Sequence, residues 1–340
     1  MGKLRFAIFG AGFWAPFQLA AWQEVKGVEC VAVCDAVRSK AEAMAARFSV
    51  PRVYDSPEKL LSEERLDFVD IITPNETHLE MVLLAASRRV PAICQKPLAG
   101  TLADAERMMA ACAAAEVPLL VHENWRWQTP IRQVKKILNE GVIGAPARAR
   151  ISCISGVDDY VNQPFLKEME QLILADMGVH LLDTSRFLFG EAERLYCQTR
   201  RVQDDIRGED LATVMMRMTG GMTVVCEMAL ARVPVERDYY VQTMIFVEGR
   251  KGSLELAPDY WVRVTTTDGT RAWRFPPPRY AWADPLYEVG MASIVPCHAN
   301  LLQALRGEGR AETTAQDNYQ SLRLVHAAYE SARTGEAIKL

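Results

Sequence analysis

The chain has 340 residues, 49% hydrophobic and 24% charged, with 39 Lys and Arg against 43 Asp and Glu for a net charge of −4. That is material for about two globular domains, and the near-balanced, interspersed charge excludes a strongly basic face of the kind that nucleic acid selects. No apolar run approaches the ~18 residues that cross a bilayer, so no membrane partner is expected.

Residues 1–9 carry Lys3 and Arg5 and lead into a glycine turn without a small-residue cleavage site. They read as the start of a strand and not as a signal peptide. The eight cysteines, at 30, 34, 94, 112, 153, 197, 226 and 297, form no C-x-x-C pair. They are expected to be small core side chains in a reducing, cytoplasmic compartment. Five histidines without paired Cys/His spacing predict no metal site.

In chain order, apolar runs at 4–9, 28–34, 67–73, 91–95 and 118–123 read as strands buried on both faces. Helical patterns fall between them at 15–25, 38–48, 76–88 and 102–115, the last rich in strong helix formers. This alternation predicts a doubly wound parallel α/β domain over residues 1–123. A helix near 128–140 follows, ended by Gly141. Extended segments then succeed one another near 146–155, 193–203, 209–219, 221–231, 241–248, 252–257, 260–267 and 271–276. Hairpin chemistry stands at 219–222 and 267–270, one helix interrupts at 176–189, and two close the chain near 290–306 and 315–333. Residues 124–340 are therefore expected to form an α+β domain with a large, mostly antiparallel open sheet, binding substrate and mediating oligomerisation.

Gly10-Ala11-Gly12-Phe13-Trp14-Ala15 follows the first strand and opens a helix. In that context the pattern is a dinucleotide fingerprint, with glycines where backbone approaches a pyrophosphate at a helix N-terminus. Asp35 ends the second strand about 20 residues further on, suited to accept from the adenosine ribose hydroxyls and to repel a 2′-phosphate. NAD is thus the expected cofactor, with Gly10, Gly12, Phe13, Trp14 and Asp35 against it and Trp14 as a lid. Thr73 and Asn75, around Pro74, are expected to face the nicotinamide ribose or the pyrophosphate, with His78 helping to hold the cofactor.

Gln95-Lys96-Pro97 ends a buried strand, which brings Lys96 to the carboxyl edge where ligands bind in open α/β sheets. Asp176-Met-Gly-Val-His180 opens a helix and puts Asp176 and His180 on one helical face, with Asp183 a turn beyond. Lys, Asp and His meeting over a nicotinamide suit proton-coupled hydride transfer.

With these motifs the chain resembles the glucose–fructose oxidoreductase, inositol dehydrogenase and MocA family over nearly its whole length. The carriers are Gly10–Ala15, Thr73-Pro74-Asn75 with His78, Gln95-Lys96-Pro97, Gly141–Gly144, and Asp176-x-Gly178-x-His180-x-x-Asp183. The resemblance implies a catalytic set of Lys96, Asp176 and His180 and a cis Lys96–Pro97 bond. It also implies an Asn-x-Arg pattern, matched by Asn124 and Arg126, beside Glu123. Substrate is then expected against Lys96, Glu123, Arg126, Asp176 and His180, and the cofactor also against Asn124, Gln163 and Gln95. Gln95 stands where the family usually has Glu; its amide still suits a ribose but brings no charge beside Lys96. His180 is the expected proton acceptor, and Lys96 the alternative. The implied activity is NAD-dependent oxidation of a sugar or polyol hydroxyl by a homo-oligomer, dimer or tetramer. Alternatives are an NAD-retaining glycoside-cleaving enzyme and a non-catalytic NAD-binding redox sensor.

Overall fold

A computed structural model describes residues 2–232 and 242–340. Its contacts divide the chain into two compact units, residues 1–123 with 294–322, and residues 124–293 with 323–340.

The first unit is built on β1 (Leu4–Phe9), β2 (Val28–Cys34), β3 (Arg52–Tyr54), β4 (Phe68–Ile71), β5 (Ala92–Gln95) and β6 (Leu119–His122). All pair in parallel in the order β3-β2-β1-β4-β5-β6. Both faces are covered, which is why the strands read as unbroken apolar runs. On one face Ala7, Phe9, Val69, Ile71 and Cys94 pack against Val82 and Ala85 of α4 (His78–Ser87) and Met108 of α5 (Leu102–Ala114). On the other face Phe6 stacks on Phe68, ring centroids 4.9 Å apart, with Trp22 of α1 (Ala15–Glu24) tilted against both. The helices α2 (Arg38–Phe48) and α3 (Pro57–Glu63) complete the crossovers.

The helix Ile294–Leu305 belongs to this unit, where its His298 lies flat on Trp22 at 3.7 Å. The Thr313 hydroxyl donates to the Val121 carbonyl at 2.7 Å. The sequence pattern places these residues in the second domain. An amphipathic period shows that a helix covers a sheet but not which sheet, so its owner was not readable. β3 and α3 were also not predicted: three strand residues and seven helical ones are too few to set a period.

The second unit carries a nine-stranded sheet. It comprises β7 (Pro146–Ile154), β8 (Ala192–Arg200), β9 (Leu211–Met218), β10 (Thr223–Ala229), β11 (Met244–Gly249), β12 (Gly252–Ala257), β13 (Trp261–Thr266), β14 (Gly269–Arg274) and the short β15 (Ile338–Lys339). The order is β14-β13-β12-β11-β7-β10-β9-β8-β15, antiparallel except for the β7–β10 pair. The expected strand at 241–248 begins at a residue outside the described ones and is seen as β11. Burial alternates strictly along β9, as it does in a sheet with one covered face. Gly221 (φ +84°) and Gly269 (φ +118°) make the two expected hairpin turns. Seven of the eight cysteines are buried and none is bonded to another. Burial pushes the Cys34 and Cys153 thiols up to about 12, so they serve as core side chains.

Candidate active site

β1 and β4 are neighbours whose crossovers leave in opposite directions, the switch point at which open α/β sheets bind ligands. Beyond β1, Gly10 turns at φ +98°, and a Cβ there would lie 2.6 Å from the Ile72 carbonyl oxygen, so only glycine fits. At Gly12 no atom lies within 4 Å of where a Cβ would be, which leaves bare backbone at the N-terminus of α1. Asp35 pins this turn by accepting from the Ala11 amide (2.7 Å) and the Val37 amide (2.8 Å). Phe13 and Trp14 rest against Phe17, centroids 5.5 and 5.9 Å away. Beyond β4, the Asn75 Oδ1 is buried without a protein partner. A bare glycine turn at a helix N-terminus and an unsatisfied acceptor fit a dinucleotide, whose pyrophosphate takes donors and whose ribose and amide offer them.

Thr73 accepts at its hydroxyl from Thr77 (2.8 Å). His78 is buried. Its Nε2 lies 3.0 Å from the Thr73 carbonyl and its Nδ1 3.1 Å from the Pro97 carbonyl, and the neutral ring donates to one of the two. Burial holds its pKa below the ordinary imidazole value against the pull of those carbonyls. The Lys96–Pro97 peptide is cis, and Lys96 is half-buried.

Gln95 also departs from the expected role. Its side chain turns inward from the end of β5, where Nε2 donates to Gln18 Oε1 (2.6 Å) and meets His122 Nδ1 (3.2 Å). Its Oε1 accepts from the Lys96 amide (2.9 Å). Glu123, just past β6, is fully buried.

In the second unit, Trp125 and Arg126 lead into α6 (Thr129–Asn139). Asn124 is buried and donates to the Gly290 carbonyl (2.9 Å) and the Ser293 hydroxyl (2.8 Å). Arg126, expected against substrate, is 4% exposed and clamped bidentately on fully buried Asp183 (2.8 and 2.5 Å). Arg186 approaches the same carboxylate at 3.7 Å and pairs with Glu191 at 2.8 Å. The charge of Arg126 is spent inside the protein.

Asp176 lies in a π-helical turn, Leu174–Gly178, that runs into α7 (Val179–Phe189), where the sequence predicts plain α-helix from 176. Its opening amides are capped from afar. Glu209 Oε1 accepts from Leu172 (3.2 Å) and Leu174 (3.3 Å), and the Tyr329 hydroxyl accepts from Ala175 (3.1 Å) while donating to Glu209 (2.7 Å). A Cβ on Gly178 would sit 3.2 Å from Met228 Sδ, which accounts for the glycine in the motif. His180 is buried and stacked on Trp125, centroids 4.3 Å apart, whose Nε1 donates to Thr243 (2.8 Å). Asp176 is half-buried, and Gln163 stands half-exposed at the start of the 3₁₀ turn Pro164–Glu168. Gly10, Gly12, Asp35, Thr73, Asn75 and Lys96 thus gather on the edge of the first unit, and Asp176 and His180 on one helix of the second. Sequence reasoning missed Gln18, Trp22, Asp70, Glu209 and Tyr329. A charge in the middle of the apolar run 67–73 was the one available signal, at Asp70.

Residues 4–123 match the oxidoreductase family with an NAD-binding Rossmann fold, and residues 131–255 match the C-terminal domain of that family. A protein of Paraburkholderia graminis named D-apiose dehydrogenase is 42% identical, over 99% of this chain and 90% of its own. Another of that name, from Rhizobium rhizogenes, is 36% identical over 100% of this chain and 98% of its own. Among solved structures, an oxidoreductase from Agrobacterium radiobacter in complex with NAD+, L-tartaric acid and magnesium superposes with a TM-score of 0.97. It is 36% identical, covering 99% of this chain and 98% of that one. Both domains match along the chain, and this protein belongs to the glucose–fructose oxidoreductase, inositol dehydrogenase and MocA family of oxidoreductases.

Proposed function

We propose that the protein is an NAD-dependent sugar dehydrogenase that oxidises the anomeric hydroxyl of D-apiose to the lactone. The observation that carries this reading is likeness along the whole chain, at 42% and 36% identity, to proteins named for that activity. The retention of Lys96, Asp176 and His180 supports it, since a protein that only binds NAD needs none of the three.

The Gly10–Trp14 turn, Asp35, Thr73 and Asn75 are assigned to the cofactor. NAD, when bound, supplies the hydride acceptor. The chain supplies the rest. A hydroxyl becomes a carbonyl only if its proton leaves as the carbon–hydrogen bond breaks, and His180 is assigned to take that proton. Lys96 donates to the same oxygen and offsets the charge that develops on it; it is the alternative base. Asp176 orients the sugar. Glu123 is assigned to the substrate wall, Arg126 acts through Asp183 to hold that wall, and Gln163 is assigned to the cofactor side.

The protein is further assigned to the cytoplasm, consistent with eight thiols and no disulfide, and to a homo-oligomer. Across the open face of the large sheet, register lines up Tyr196, Met215, Val225, Arg150, Phe246 and Glu255. Met215 is 49% and Phe246 37% exposed, apolar area that a partner subunit would cover. Phe246→Asp is expected to shift the light-scattering mass toward monomer.

The test of the activity is NADH absorbance across a panel of aldoses, branched sugars and inositols. Strong turnover on D-apiose with NAD is expected, and better turnover of myo-inositol or glucose would overturn the substrate. Silence across the panel with NAD bound calorimetrically would favour an NAD-retaining glycoside-cleaving enzyme or a redox sensor.

A further inference from the structure

Behind the edge of the first unit lies a polar cluster that the proposed chemistry does not use. Asp70 sits in the middle of β4, paired on either side with Ile8 and Ile93, and is fully buried. Its two oxygens accept from Gln18 Nε2 at 2.8 and 2.9 Å, and one of them also from Trp22 Nε1 at 2.7 Å. Gln18 and Trp22 are one turn apart on α1. Register puts Asp70, Gln95 and His122 on the same face of the sheet.

The bonds form a chain of fixed polarity. Asp70, ionised, only accepts, so Gln18 must present its NH₂ to it and its Oε1 outward. That Oε1 accepts from Gln95 Nε2, which leaves Gln95 Oε1 to accept the Lys96 amide. Reversing either amide sets oxygen against oxygen or NH₂ against N–H in a dry interior, which costs as much as a lost hydrogen bond.

Resting on the assignment of Lys96 to the reaction, we propose that Asp70 is a positioning residue for the Gln95–Lys96 corner. It acts through Gln18, in a relay that holds one negative charge and admits it at position 70 or at position 95 but not at both. An amide at 70 turns Gln18 and then Gln95 over, and the mismatch falls on the Lys96 amide. A carboxylate at 95 faces Gln18 Oε1 and leaves Gln18 with an acceptor on both sides. With both changes, Gln18 reversed donates to position 95, Trp22 still donates to position 70, and the Lys96 amide keeps its acceptor.

Protonation of Asp70 has the same effect as an amide there. Burial lifts its carboxyl to about 7, against the pull of the Trp22 and Gln18 donors. The other titratable groups around it are the thiols of Cys30 and Cys94, which burial raises, and His122 and His298. Burial holds His298 well below the ordinary imidazole value, so it stays neutral in this range.

The experiment compares wild type, Asp70→Asn, Gln95→Glu and the double variant by urea denaturation, by NAD affinity and by turnover of D-apiose from pH 6 to 9 (about neutral to mildly alkaline, spanning the Asp70 transition). Each single change is expected to lower kcat about tenfold with the sugar KM little changed, and the double variant to recover most of that loss, with matching non-additivity in the urea midpoint. Below about pH 7 the wild type should lose more kcat than the double variant does. Additive effects, or coupling in the urea midpoint with none in kcat, would overturn the proposal. Should a single variant not fold, the double variant decides: folded and active supports the relay, unfolded or inactive refutes it. If wild type oxidises no sugar, the proposed activity fails, while the urea midpoints and NAD affinities still decide the relay.

Discussion

The two units brace their candidate site residues by opposite means. In the first, Lys96, Thr73 and the glycine turn sit at strand ends, braced by neutral groups: the imidazole of His78 between two carbonyls and the amides of Gln18 and Gln95. A single carboxylate, Asp70, anchors that interior. In the second, Asp176 and His180 ride on a helix that opens with a π-turn, braced by charge. Asp183 holds two arginines, and Glu209 caps the turn from a distant strand connection. Strand ends inherit their position from the sheet and need only fine adjustment. A helix that departs from α geometry has stray amides to satisfy and must borrow partners from elsewhere.

The sharpest way to break this contrast is to ask whether both units supply chemistry. Lys96→Met and His180→Asn are each expected to lower kcat about 10²–10⁴-fold with folding intact by circular dichroism. NAD affinity should move little in His180→Asn. A variant retaining near-full turnover would leave the chemistry to one unit alone.

Next in size is the brace of the second unit. Asp183→Ala removes the buried carboxylate that Arg126 clamps, leaves Arg186 to Glu191, and should cost about 3–5 kcal/mol in urea denaturation. His78→Ala, in the first unit, removes the one hydrogen bond that the neutral ring donates to a carbonyl and should cost about 1–3 kcal/mol. Equal losses would erase the distinction between charged and neutral bracing.

A third effect is confined to the first unit and depends on pH. Burial pushes the Asp70 carboxyl up to about 7, well above the ordinary carboxylate range. The folded state therefore binds this proton more tightly than the unfolded chain, and its contribution to stability is full below about pH 4. It is lost as pH rises through about 7, by on the order of 4 kcal/mol. The stability of wild type minus that of Asp70→Asn should thus fall across this range, while turnover rises as Asp70 ionises. A flat difference would mean that the carboxylate is stabilised in place by more than Trp22 and Gln18.

The same contrast governs what was legible in the sequence. Gly10, Gly12, Asp35 and Lys96 could be read because each follows a buried strand, and the parallel topology puts all such ends on one edge. The antiparallel sheet was readable from alternation and hairpin glycines. Partners more than a turn away were not: no local pattern says that Arg126 meets Asp183, that Glu209 and Tyr329 cap the turn holding Asp176, or that Gln95 points inward. Nor could a helical period say that residues 294–322 return to the first unit.

The smallest expected effect tests the part read most directly, Asp35. Its carboxylate holds the Ala11 and Val37 amides, and in the proposed complex it also faces the adenosine ribose and repels a 2′-phosphate. Serine keeps one acceptor and loses the charge. Asp35→Ser should therefore raise the KM for NAD about tenfold, the loss of one charge-assisted hydrogen bond, with kcat at saturating NAD unchanged. Use of NADP should improve by less than NAD declines. Arg38, the nearest cation in sequence, already pairs with Glu42 (2.9 Å) and Asp55 (3.5 Å). Those pairs are exposed and weak, so Arg38 can be recruited by a phosphate at a modest cost. Steady-state kinetics with both cofactors would separate the outcomes. A fall in kcat would mean that Asp35 shapes the turn as far as the reacting centre, and would make the first unit's edge less rigid than its strand-end origin implies.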